Sequence, residues 1–384
     1  MTQVTEAIDI APRPETPGIP QDAELRYYTA SQFQLMWWKF KKHHLALVGS
    51  TILGIFLVIA LFAEFLSPYT STARTPDYLF GKPQRLHFVD AEGKFHLRPF
   101  TYALSAVMDP KTFLLEVKED TNEPWPVYFF VKGDAYKMWG LIRSDRHLFG
   151  VQEGHLHLLG TDKLGRDLLS RLLHATRTSL TIGVVGLFIS FFLGLIIGGV
   201  SGFFGGTVDD AIQRFIEFIR SIPTLPLWMA LAAALPRDWS PQQVYFTITI
   251  LLGLLGWTHL ARRVRGKLLS LREEDFVIAA RIAGSSNSRI IARHLLPSFL
   301  SYIIVDLSIS FPYMILAETS LSFIGLGLRA PVISWGVLLQ DAQNIQSIAL
   351  YPWLFTPVAF VILAVMAFSF VGDGMRDAAD PYSR

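Results

Sequence analysis

The chain alternates long apolar stretches with polar segments, and the length of the apolar stretches sets the first expectation. Residues 45–66 read LALVGSTILGIFLVIALFAEFL, and further windows follow at 178–202, about 222–236, 243–261, 297–327 and 351–371. A helix needs about 20 apolar residues to cross the hydrocarbon core of a bilayer. The 222–236 window is short and holds Pro223 and Pro226, which a membrane helix tolerates where neighbours satisfy the freed backbone groups. The 297–327 window is long enough to include a bent or re-entrant part. The pattern predicts an all-α polytopic membrane protein with six transmembrane helices and both termini on one side. A cleavable leader fits less well: its apolar region would run about 7–15 residues close to the N-terminus.

The polar segments divide the rest. Residues 1–30 are proline-rich with little periodic apolar pattern, which predicts a disordered tail. Residues 31–69 pair an interfacial segment with the first span and carry the basic patch Lys39, Lys41, Lys42, His43 and His44. Between the first two spans, residues 70–158 alternate in strand fashion. Leu86 and Phe88 precede a turn at Asp90 to Gly93, Phe95 and Leu97 follow it, and Val127 to Val131 and His155 to Leu158 repeat the signal. A small β-rich insertion domain is expected there. Residues 159–376 form a five-helix core with a polar loop at 262–297, and 377–384 a second short tail.

Composition and charge refine this picture. The chain is 51% hydrophobic and 17% charged, against about 25% charged in soluble domains. Its net charge of +2 gives no reason to expect nucleic acid as a partner. Without cysteine it can form no disulfide, thiolate metal site or thiol nucleophile. Lys and Arg in short loops set orientation. The 262–293 loop carries Arg262, Arg263, Arg265, Lys267, Arg272, Arg281, Arg289 and Arg293, and Arg214, Arg220 and Arg376 lie on the same side. The opposite short loops offer Arg237 and Arg329. Both termini and the 262–293 loop are therefore expected in the cytoplasm. The insertion, a long loop that can cross regardless of charge, is expected outside it.

Residues 273–297, EEDFVIAARIAGSSNSRIIARHLLP, carry the most chemistry. Small residues Ala279, Ala280, Ala283 and Gly284 lead into a turn at Ser285 to Ser288, then a basic helix ending at His294 and Pro297. The plain reading is an amphipathic connector lying on anionic lipid; the small residues favour close approach to another protein. Ser285 to Asn287 can cap the second helix, and Pro297 suits the start of the next one. His294 stands alone among basic and apolar neighbours, which makes it a weak metal ligand. Arg262, Arg263 and Arg265 read as topology anchors.

In the membrane, Glu318 and, twelve residues earlier, Asp306 are costly charges that should face a cavity or a partner. Ser320, Ser322, Gly325 and Gly327 would allow close helix approach or a bend. Phe323 and Trp335 could form a gate, although interfacial anchoring is the simpler account of Trp335. Near 160–167, Asp162 or Thr161 can cap an interfacial helix and Arg166 can pair with Asp162. No phosphate loop exists: Gly81-Lys82 precedes a proline and Gly266-Lys267 a leucine. No H-E-x-x-H or G-x-S-x-G site is present either, so no catalytic residue is expected.

The loop resembles that of permease subunits of ATP-binding-cassette importers, specifically the oligopeptide/dipeptide group. That family has E-A-A, three residues, G, nine residues, then hydrophobic-x-L-P. Here the pattern reads Ile278, Ala279, Ala280, Gly284, then Leu295, Leu296 and Pro297, with Ile278 in place of the acid and Glu273, Glu274 and Asp275 just upstream. GTDKLGRDLLSRLLHATRTSL at 160–180 and ETSLSFIGLGLRAPVISWG at 318–336 resemble two more family segments, in the expected order. Residues 70–158 are longer than the typical equivalent, so the resemblance says little of them.

The resemblance implies a pore subunit in the bacterial inner membrane that hydrolyses no ATP itself. Its implied partners are a second homologous permease, two ATPase subunits that bind ATP and Mg, and an extracytoplasmic substrate-binding protein. Asp275, Ala279, Ala280, Gly284, Arg289, His294 and Pro297 become candidates for coupling to the ATPase. Asp306, Glu318, Ser322, Phe323, Gly325, Gly327 and Trp335 become candidates for the pore or gate, with a structural hydrogen bond to the second permease an equal account of Glu318. A self-contained secondary transporter or channel would show internal repeats and an ion pathway, and neither is visible. A receptor anchored by its membrane region would leave the 273–297 loop unexplained.

Overall fold

A computed structural model describes residues 30–108, 115–236, 238–344 and 349–379. The tails expected at 1–30 and 377–384 fall largely outside these residues. Helix α1, Gln32–Phe40, starts at a capping box in which Ser31 and Gln34 exchange side-chain and backbone bonds. Helix α2, His44–Leu66, follows, with the His43 imidazole accepting from the Ala46 N–H at 3.1 Å. At 23 residues it is about 34 Å long. Its run is broken at Phe62, whose backbone (φ −115°, ψ 26°) is not helical.

The segment after α2 folds into a four-stranded antiparallel sheet ordered β1 (His87–Val89), β2 (Phe95–Met108), β3 (Leu115–Met138) and β4 (Ile142–Val151). The register shifts between Tyr102 and Ala103 and between Lys132 and Tyr136, irregularities that bend a sheet. Buried His147 of β4 bridges the sheet to the end of α2, its Nδ1 lying 2.6 Å from Ser67 O and its Nε2 2.9 Å from Asp134 O.

Helix α3, Leu168–Phe204, runs 37 residues and starts ten residues before the apolar window did. Those ten carry Arg171, His174 and Arg177, which keep them out of any hydropathy window. Protein partners accept the two arginines: Arg171 pairs with Asp162, and Arg177 forks onto Glu64 at 2.5 and 2.6 Å. Next come α4, Gly206–Ser221, and α5, Thr224–Ala233, meeting at a bend of 81°. The window at 222–236 was expected as a span, but ten residues of helix reach only about 15 Å. Pro223 is the cause, since it forces Ile222 into an extended conformation (ψ 128°) and ends α4. Among the described residues there are thus five helices long and apolar enough to cross a membrane, or six if the bent α4–α5 pair is one span.

Further along come α6 (Pro241–Leu271), α7 (Asp275–Ile282), α8 (Leu300–Phe323), α9 (Trp335–Gln340) and α10 (Thr356–Ala379), with shorter helical turns between them. Helices α3 and α6 pack through glycines spaced every four residues. A Cβ at Gly198 would lie 2.5 Å from Ala261 O, and one at Gly202 2.7 Å from Arg265 O. Such contact lets backbones approach closely, the usual basis of helix pairing in lipid. The sheet gathers at the end of the bundle where α2 stops and α3 begins. Helix α7 lies at the other end, beside Phe203 of α3.

Candidate functional site

Helix α7 is short because both its ends are determined locally. Its N-cap, Glu274, is extended and offers no side-chain cap. Its C-terminus closes in a Schellman arrangement: Ser285 N–H bonds Ala280 O at 3.0 Å and Gly284 N–H bonds Arg281 O at 2.9 Å. Gly284 sits at φ +77° with open space where a Cβ would point. Glycine is therefore needed for its backbone rather than for room.

One face of α7 is anchored. Val277 and Ala280 bury against Phe203, Leu268, Ile290 and Leu295, and the Arg281 guanidinium lies 5.2 Å from the Phe203 ring centre. The opposite face is open, and it is apolar: Phe276, Ile278 and Ile282 are all exposed, Ile282 at 83%. Asp275, Ala279, Gly284, Arg289 and Pro297 are exposed as well, His294 is half-buried, and Ala280 belongs to the core instead. Phe276 and Ile282 were missed as surface residues because an apolar residue in a sequence reads by default as core.

Beyond the turn, Ser286 is an N-cap without a side-chain bond, so the expected hydroxyl or amide cap is not used. The backbone supplies the closure, Ile290 N–H to Ser286 O at 2.9 Å. Helical turns at Asn287–Arg289, a π turn over Ile290–Leu295 and a last turn at Leu296–Ser298 lead into α8. A regular helix would press Pro297 against the Arg293 carbonyl, and the wider turn ends two residues before it.

Two ion pairs brace this end of the bundle. Arg263 of α6 reaches Asp306 of α8 at 2.6 Å, and Arg265 forks onto Asp209 of α4 with both contacts at 2.5 Å. Ser201 of α3 adds a bond to Asp209 at 2.5 Å. Both arginines, expected as topology anchors, thus also hold neighbouring helices. Their carboxylate partners are far away in sequence, and the helix packing brings them together.

Glu318 lies in the half of the bundle nearer the sheet and is fully buried. Ser322 donates to it at 2.8 Å and Ser179 of α3 at 3.4 Å. Ser322 also accepts from Leu328 N–H at 3.0 Å, and Ser179 from Trp335 N–H at 3.1 Å. One carboxylate thus ties α3, α8 and the start of α9 together. Trp335 is corrected outright. It is fully buried, its indole donating to Thr176 at 3.3 Å and its ring packing on Phe56, so it does not anchor at an interface. Gly325 (φ +85°) turns the chain after α8, and a Cβ on Gly327 would sit 2.5 Å from the Ser322 backbone nitrogen. Phe323 remains exposed, and Gly327 borders a pocket of about 160 Å³ lined also by Trp239, Val244 and Arg329.

At the start of α3 the cap is Asp167, not Asp162 or Thr161. Asp167 accepts from Ser170 N–H at 2.7 Å. Asp162 instead gathers Arg166, at 2.7 Å as expected, together with buried Arg171.

Apolar helices of membrane-spanning length, with carboxylates buried on polar seams between them and an exposed short helix held between two of them, mark a multi-pass membrane protein. Comparison with known families assigns it further. The model of the binding-protein-dependent transport system inner membrane component matches residues 190–384, and that of the N-terminal TM domain of oligopeptide transport permease C matches 31–83. The oligopeptide transport system permease protein OppC of Haemophilus influenzae is 40% identical over 235 residues, covering 61% of this chain and 73% of that protein. OppC of Bacillus subtilis is 36% identical over 229 residues, 59% of this chain and 72% of its own length. The dipeptide transport system permease protein DppC of Lactococcus lactis is 33% identical over 354 residues, 91% of each chain. The chain belongs to the binding-protein-dependent inner membrane components, within the oligopeptide/dipeptide group of ABC permeases.

Proposed function

We propose that the chain forms half of the translocation pathway of an ATP-driven importer for peptides or a similar small solute, and that α7 couples it to a separate ATPase. The observation that carries this reading is the exposed apolar face of α7, Phe276, Ile278 and Ile282, on a helix whose other face is locked into the spans. An apolar surface on a rigid mount fits a protein groove better than it fits water. Rigid mounting also lets force on α7 pass to α6 and α8.

In this reading both termini and α7 face the cytoplasm and the sheet faces outside, as the Lys and Arg distribution favours. A second, related permease completes the pathway. Two ATPase subunits bind ATP and Mg, and a binding protein delivers solute from outside. ATP shifts the complex between inward- and outward-open arrangements by as much as its affinity differs between them. Asp306 and Glu318 act through the helix seams they hold, whereas Gly327 lines the pocket nearer the outer end.

Gly284→Val tests the reading. A β-branched residue at φ +77° costs about 1–2 kcal/mol locally and disturbs the end of α7 without touching the spans. The variant should insert normally and lose ATPase subunits on co-purification. Retained co-purification together with undiminished uptake would contradict the coupling role.

A further inference from the structure

The hairpin joining β3 to β4 has a composition that neither the sheet nor the transport cycle explains. It reads Lys137, Met138, Trp139, Gly140, Leu141, Ile142, Arg143: an apolar tip between two cations. Lys137 and Arg143 are register partners across the strands and both are exposed. At the tip, Leu141 is 81% exposed, and Trp139 and Ile142 are exposed as well.

The turn itself is unusual. Its central residues, Trp139 (φ 53°) and Gly140 (φ 75°), both have left-handed backbone, with Leu141 N–H bonding Met138 O at 3.0 Å. Such a turn favours Asn-Gly or Gly-Gly, and a bulky aromatic in the left-handed region is disfavoured. The sequence thus accepts backbone strain to hold an indole at the tip. Phe130 of β3 repeats the choice at φ 55°.

Both strained aromatics point at α2. The Trp139 indole N–H donates to Leu61 O at 2.7 Å, and its ring lies 6.1 Å from Phe62; Phe130 lies 6.1 Å from Phe65. These contacts fall at the Phe62 break, where Arg177 also reaches Ala60 O at 2.6 Å. Leu61 is five residues short of the end of α2, so the indole meets the helix about 7 Å below that end. At that level beside an apolar helix of membrane-spanning length, the tip leaves Leu141 and Ile142 exposed.

We infer that the β3–β4 hairpin dips into the outer leaflet of the bilayer. Leu141 and Ile142 enter the acyl region, the Trp139 indole stays against α2 at its edge, and Lys137 and Arg143 sit at the level of the lipid phosphates. Indoles favour the interface, and long cationic side chains extend their charges to it. The partner is an anionic phospholipid surface. The hairpin fastens the sheet to the membrane on one side, fixing its height over the bundle. The inference rests on the outward placement of the sheet given above.

The chain has no cysteine, so single labels can be placed cleanly. Leu141→Cys at the tip and Leu97→Cys, 90% exposed on β2, each carry an environment-sensitive fluorophore on the full chain in nanodiscs of phosphatidylethanolamine and phosphatidylglycerol. The Leu141→Cys label should emit further to the blue and be quenched several-fold more by nitroxide-bearing acyl chains than by aqueous iodide. The Leu97→Cys label should behave in reverse. Lys137→Glu with Arg143→Glu should move the tip label toward water. Iodide quenching of the tip label equal to that at Leu97→Cys would overturn the inference. So would shielding that arises only on adding the second permease or a binding protein. Labelling of Leu97→Cys in intact cells by an impermeant maleimide tests the sheet's placement separately: its failure removes the topology, while its success beside a water-exposed tip removes only the hairpin's insertion.

Discussion

At the residue scale, the charges inside the bundle are what a hydropathy reading finds first and understands least. Glu318 and Asp306 stood out because a carboxylate in an apolar run is costly. Their partners could not be read. Ser179 is 139 residues from Glu318, and only the crossing of α3 with α8 brings them together. The roles follow from those partners. Glu318→Gln keeps one acceptor and gains a donor, so the Ser179–Ser322 connection should survive with little loss of stability. Glu318→Leu strands buried hydroxyls and should cost about 1–3 kcal/mol, read as a lower thermal midpoint in detergent. Asp209→Asn should weaken the α4–α6 connection by about 1.5–3 kcal/mol, the scale of hydrogen bonds to a charged group. The exchange Asp209→Arg with Arg265→Asp should recover part of that loss, because the two side chains interact directly.

At the element scale, the long apolar runs were legible and the breaks were not. The first span matched its window to within a residue, since nothing polar interrupts 45–66. Helix α3 ran ten residues long at its start because Arg171 and Arg177 are answered by Asp162 and Glu64, contacts no window contains. Pro223 was visible, but whether the chain bends or ends there depends on what lies beyond it. The glycine stripe at 194, 198 and 202 was present as a four-residue repeat and shows its meaning only once α6 lies across it. Gly198→Leu must push the Ala261 backbone away. It should destabilise the α3–α6 pair by about 1–3 kcal/mol, seen as reduced yield of folded chain after mild heating. Gly206→Ala, with open space at its Cβ but a backbone φ of +53°, should cost less, through backbone strain alone.

At the scale of the whole molecule, the bundle separates two jobs along its length. One end carries α7, braced by the Arg263–Asp306 and Arg265–Asp209 pairs. The other carries the sheet, fastened through His147 and the Trp139 indole to the last turns of α2. The polar seam at Glu318 lies between the two ends. Family membership was legible from three short segments; the surface of α7 was legible only in part. Ala279 and Gly284 stood out by size, whereas the exposed Ile282 and Phe276 looked like core until the structure turned them outward.

Ile282→Asp puts the coupling claim to its most direct test. The side chain is 83% exposed, so the change should alter the chain's own stability by no more than about 0.5 kcal/mol. In proteoliposomes holding both permeases, the ATPase subunits and the binding protein, the account predicts normal insertion and permease pairing, loss of the ATPase subunits and no ATP-dependent uptake. A variant that keeps its ATPase and transports at the unmodified rate would contradict it.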